Sequence, residues 1–141
     1  MQAKILYRIA AVLLSLFAAL HTIGFRQTDL AWKVNGLIAS MQSIHFDVQG
    51  LNRTYWDFYT GFGLFVTAFL LFAAALAWQL SRLAAETLVR LRGTAWAFAI
   101  FFAVISVLTW RFFFIAPLVF SILITVCLSA AAWLLPQTQK P

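Results

Sequence analysis

Acidic residues are nearly missing: Asp and Glu together number 4 in 141 residues, against 10 Lys and Arg and 2 His. The charged share of 10% is less than half the ~25% usual in soluble domains. The hydrophobic share of 64%, with a mean hydropathy of +0.92, lies far above their roughly 45–50% apolar usage. These proportions exclude a water-soluble globular domain and predict an integral membrane protein. Cysteine is scarcer still. A single thiol, Cys127, inside an apolar run, excludes both an intramolecular disulfide and a paired-cysteine redox motif. The net charge of +6 has no polar face to occupy, because the basic residues stand at the ends of apolar runs. That placement excludes a nucleic-acid surface and reads as membrane-orienting charge. No nucleotide, phosphate-loop, nucleophile-elbow or zinc-site motif occurs.

What is present is four long apolar runs. A spanning helix consumes roughly 20 residues, so the length allows one domain of about four or five passes. The runs fall at 5–25, 55–80, 94–114 and 118–135. The first has a basic start like a secretory leader, but it is longer than the ~7–15 residues of a leader core and is expected to stay as a helix. The second opens on Thr54 with Asp57 three residues on, the spacing of a capping box. Along it Thr60, Gly63, Thr67 and Ala74 make a small-residue stripe, as do Ser121, Thr125 and Ser129 in the fourth run, and such stripes let backbones approach closely in lipid. Ala116 and Pro117 are expected to join runs three and four in a tight hairpin, and Pro136 to end the last helix.

The segment 29–46 carries Leu30, Val34, Leu37, Ile38, Met41 and Ile44 at helical spacing, which predicts an amphipathic helix at the membrane surface, capped by Asp29, anchored by Trp32 and terminated by Gly50. The expected fold is therefore all-α, a four-helix transmembrane bundle with a surface helix between its first two spans. Lys4, Arg8, Arg82, Arg90, Arg92 and Lys140 fall on one side and Arg26, Lys33, Arg53 and Arg111 on the other. That bias predicts a multi-pass protein of the plasma (bacterial inner) membrane with both termini cytoplasmic.

Scarce charge gathers in "HFDVQGLNRTYWDFYTGFG", residues 45–63. By topology His21, Arg26, His45, Asp47, Arg53, Asp57 and Arg111 all come to one mouth, and ionisable groups at a bilayer edge usually face a partner or a wet cavity. Arg111 is expected to pair with Asp57 or Asp47, and His21 with Asp57, Tyr59 or water. His21 reads either as a helix-end histidine bonded to a carbonyl or as a ligand or proton-transfer group. Asp57 reads either as a structural ion pair or as its acid–base partner. Trp56, Phe58, Tyr59, Phe62, Trp110 and Phe112 to Phe114 make an interfacial belt or wall an apolar pocket. Axial haem or metal ligation through His21 and His45 lacks a spacing motif, and no cofactor is expected.

The pair "HTIGF" and "DFYTGFG" resembles a group of small bacterial four-helix membrane proteins that has no assigned activity to carry over. The layout is also similar, in architecture alone, to the sterol isomerase and sigma-2 receptor fold family. The glutamate pair that such isomerases use for proton transfer has no counterpart here, since the one glutamate is Glu86 in a basic loop. Three functions are expected to compete. The first is a pocket for a lipid or small lipophile formed by His21, His45, Asp57, Tyr59, Trp110 and Arg111. The second is a membrane enzyme using His21 and Asp57 in acid–base chemistry on a lipid-like substrate. The third is an accessory subunit packing into a homo-oligomer or larger membrane complex.

Overall fold

The computed structural model describes residues 2–27 and 30–135. The chain is almost wholly helical. Its elements are α1 (Gln2–Gly24), a single 3-10 turn (Leu30–Trp32), α2 (Asn35–Ser43), β1 (His45–Val48), β2 (Leu51–Thr54), α3 (Tyr55–Arg82), α4 (Ala85–Arg90), α5 (Arg92–Phe112) and α6 (Ile115–Trp133). Four of these, α1, α3, α5 and α6, are long and apolar enough to cross a membrane. They coincide closely with the four apolar runs.

The chain divides into two compact units, Met1–Phe17 with Leu70–Pro141 and Ala18–Phe69. In the first, the four-helix unit, the inner faces are built from small side chains. Ala10 and Ala11 of α1, Ala73 and Ala77 of α3, Ala95 and Ala99 of α5, and Ala131 and Ala132 of α6 are all buried. Tyr7, Leu14, Phe102, Ile124 and Leu128 fill the remaining space. The outer faces carry the bulk: Ile5, Ile9, Val12 and Leu16 recur along the exposed face of α1, as do Ile100, Val104 and Val107 along α5. Large apolar residues outside and alanine inside is the arrangement expected where hydrocarbon is the solvent and helices associate by close backbone packing.

α5 and α6 are joined by Phe113 and Phe114 and run antiparallel, with the Ser106 and Thr125 hydroxyls 3.0 Å apart. The expected link at Ala116 and Pro117 is displaced. α6 starts at Ile115, and Pro117 lies in its first turn, where no intrahelical amide is needed. α1 takes its direction from Phe17, which stacks on Phe120 near the start of α6 at 5.3 Å, while Tyr7 and Leu14 remain fully buried. The start of α1 therefore lies beside the end of α6 and the start of α5.

In the second unit the end of α1 meets the start of α3, and α2 and a hairpin follow one another between them. The surface helix is shorter than its periodicity implies, because Lys33 takes a left-handed conformation (φ 53°) that separates the 3-10 turn from α2. Within α2 nothing is fully buried; Val34 before it, then Ile38 and Met41, form one half-buried stripe. From His45 the chain is extended, not helical. Phe46 pairs with Arg53 and Val48 with Leu51 in an antiparallel ladder. Gln49 (φ 55°) and Gly50 (φ 80°) make a two-residue loop whose twin positive φ values are those of a type I′ turn. Gly50 thus turns a hairpin and terminates no helix. Asp29, Pro136 and Lys140, to which the sequence assigns a cap, a helix break and a cytoplasmic charge, lie outside the described residues.

Candidate functional site

Asp57 is held by the residue that precedes α3. The Thr54 amide and hydroxyl donate to its Oδ2 at 2.8 and 3.0 Å, and the Asp57 amide donates back to the Thr54 hydroxyl at 3.2 Å. This is the reciprocal capping box anticipated from the spacing, and it fastens the hairpin's last residue to the helix. Phe46 of β1 fastens the hairpin a second time, its ring 4.9 Å from Tyr55 and 5.9 Å from Phe58.

His21 does not meet Asp57 or Tyr59. Its Nε2 lies 3.0 Å from the Gly63 carbonyl, and since a carbonyl only accepts, that nitrogen carries the proton. Thr67 Oγ1 donates to the same carbonyl at 3.2 Å and also lies 3.0 Å from Thr22 Oγ1, whose own proton has the Ala18 carbonyl at 2.6 Å. One turn further along α1, the Tyr59 hydroxyl donates to the Phe25 carbonyl, and the Phe25 ring stacks 5.3 Å from His21. The Phe25 ring occupies the space that a side chain at position 63 would need. Partners along α1 advance as those along α3 retreat, so the two helices cross antiparallel here. His21, Thr22, Phe25, Tyr59, Gly63 and Thr67 form one lock, and the paired motifs "HTIGF" and "DFYTGFG" are largely its two halves.

The remaining expected site residues divide between the two units. His45 is exposed, with Nδ1 2.9 Å from the Ser43 carbonyl. Asp47 Oδ1 accepts the Gly50 amide at 2.9 Å within the turn. Trp110 and Arg111 belong to the four-helix unit, where Trp110 is 71% exposed and the Arg111 guanidinium lies 5.4 Å over the Phe112 ring. Among the described residues no three His, Cys, Asp or Glu side chains gather where a metal ion could sit.

A concave feature of the hairpin unit lies between the hairpin and α3, an open groove of about 390 Å³. Val48, Gln49, Leu51 and Arg53 form one wall, and Asp57, Phe58, Gly61, Phe62 and Phe65 the other. The helix wall uses two rows at four-residue spacing, 57–61–65 and 58–62, so a single face of α3 is presented. Its charged groups are Arg53 of β2 and Asp57 in the first turn of α3. Arg53 spends one guanidinium donor on the Asn52 carbonyl at 2.8 Å, and among the described residues Asp57 Oδ1 has no hydrogen-bond partner. Gly61 gives the groove its depth, because a Cβ there would meet nothing within 4 Å. Of the six ligand-contacting residues expected from sequence Asp57 alone lines it, together with Phe58 and Phe62 of the aromatic set. Gly61, Phe65 and the hairpin wall escape sequence reading because they converge only once residues 45–54 fold back as strands.

Four spans with bulky apolar side chains outward and alanines inward define the class as α-helical membrane protein. Comparison with family models, with curated proteins and with solved structures finds no match.

Proposed function

We propose that this membrane protein binds a phospholipid in the groove between its hairpin and α3, the head at Arg53 and Asp57 and an acyl chain along Phe58, Phe62 and Phe65. The observation that carries this reading is the groove's lining, which joins an arginine and a half-free carboxylate to three phenylalanines. Its depth agrees. α3 has 28 residues, about 42 Å at 1.5 Å per residue against a hydrocarbon core of about 30 Å, so its first turns reach headgroup level. A head offering both an anion for Arg53 and a donor for Asp57 is zwitterionic with a free amine, and phosphatidylethanolamine is its simplest form. The stripes at Gly63, Thr67, Ser121 and Thr125 find partners inside their own units, which supports a self-contained binding protein over a subunit awaiting a complex. The basic bias supports cytoplasmic termini, with the groove on the far leaflet, and the motif resemblance supports a bacterial inner membrane.

The test is native mass spectrometry of the protein extracted in mild detergent and titrated with phosphatidylethanolamine. Gly61→Leu places a side chain in the groove from a position whose Cβ meets nothing within 4 Å, and is expected to lower retained lipid roughly tenfold at unchanged helicity. Equal retention by the variant overturns the reading.

A further inference from the structure

The four-helix unit gathers cations at one end with almost nothing to neutralise them. Lys4 and Arg8 begin α1, Arg82 ends α3, Arg90 ends α4 and Arg92 begins α5, while Glu86 is the lone acid of that end. The direction of α1 fixed by Phe17 brings Lys4 and Arg8 to the same end as Arg92. Among the described residues none of these five cations forms an ion pair or a side-chain hydrogen bond, and Arg8, Arg82 and Arg90 are exposed. Three indoles mark the depth. Trp78 lies one turn before Arg82, Trp96 one turn after Arg92, and Trp133 closes α6. Trp78 and Trp133 are 48% and 73% exposed. Indoles settle at the boundary between acyl chains and headgroups, so Arg82, Arg90 and Arg92 stand just beyond it, at phosphate level. Arg8 is set deeper, flanked on the exposed face of α1 by Ile5, Ile9 and Val12. A bare guanidinium there is costly unless it reaches up to an anion.

We propose that this end of the four-helix unit is a binding site for anionic phospholipid, its phosphates held by Arg8, Arg82, Arg90 and Arg92 and its acyl chains lying on the exposed apolar faces beneath. Charge complementarity selects the occupant, and the apolar surface directly below the cations selects a lipid over a free anion. It differs from the groove in charge balance, with five cations to the one carboxylate of Glu86.

The experiment uses the Gly61→Leu chain throughout, so that groove binding is weakened alike in every sample and the outcome does not depend on it. Native mass spectrometry follows titration with phosphatidylglycerol and, separately, phosphatidylcholine. Each lost cation at a membrane surface is expected to weaken the anionic lipid about fivefold, so Arg82→Gln with Arg90→Gln should weaken phosphatidylglycerol roughly 25-fold. Phosphatidylcholine should not change. Both side chains are exposed, and the corresponding double lysine variant should restore most of the binding, which separates a charge effect from a folding defect. Equal phosphatidylglycerol affinity in the glutamine variant overturns the proposal, as does equal weakening of both lipids. Displacement of the lipid by millimolar inorganic phosphate overturns it in favour of a free-anion site.

Discussion

The four-helix unit and the hairpin unit are held together by different physics. In the first, α1, α3, α5 and α6 contribute alanines and a few large side chains to a close-packed interior, and the largest fully buried residues, Tyr7, Phe102, Leu14, Ile124 and Leu128, all belong to it. In the second, Ala18 and Thr54 are the buried residues among those described, and cohesion comes from directed contacts: His21 and Thr67 on one carbonyl, Tyr59 on another, Asp57 on Thr54. Packing without direction suits a region submerged in hydrocarbon. Directed bonds suit a region that nears water, where register must be specified because water competes for every donor.

That contrast can be broken by substitution. The largest effect is expected at Gly63→Leu, whose added carbons overlap the Phe25 ring; overpacking of this kind costs about 1–3 kcal/mol, read as a lowered unfolding midpoint in detergent. The hairpin and the α1–α3 crossing should loosen together, seen as faster amide exchange over 18–27 and 55–67, while α5 and α6 keep their protection. Loss of protection throughout would merge the two units into one. Next comes Thr54→Ala, which removes the reciprocal cap and is expected to cost about 1 kcal/mol. Exchange should rise at the first turn of α3 and in β2. The smallest effect has the opposite sign. The Tyr7 hydroxyl is buried in the four-helix unit and among the described residues has no hydrogen-bond partner, so Tyr7→Phe should leave stability unchanged or raise it by up to about 1 kcal/mol. A destabilised Tyr7→Phe would mean that this interior, too, depends on a directed bond.

Legibility from sequence divides along the same line. The four spans are readable because each needs an unbroken apolar run, a one-dimensional property, and α3 begins where Thr54 and Asp57 announce it. Residues 45–54 are not readable in that way. Ile44 and Val48 continue the helical spacing of α2, whereas the chain obeys the Gln49–Gly50 turn and the pairing of Phe46 with Arg53. Of the lock, a carbonyl partner for His21 is readable as one alternative, but which carbonyl is not. His21 and Gly63 are 42 residues apart, and a glycine carbonyl carries no mark in sequence that it will be a ligand for imidazole. Gathering scarce charge near one mouth is a reading along one dimension. It could not distinguish Asp57, which lines the groove, from His21, which ties two helices.

The alanine face of α1 also limits what the chain can become. Ala10 and Ala11 have neighbours close enough that each is at most 4% exposed, so drift at these positions is confined to side chains of about the same size. The opposite face, with Ile9, Val12 and Leu16, meets a fluid that accepts any oily shape. Two strips of one helix, about half a turn apart, would thus diverge at very different rates, and the slower of them would be the one made of the plainest residue.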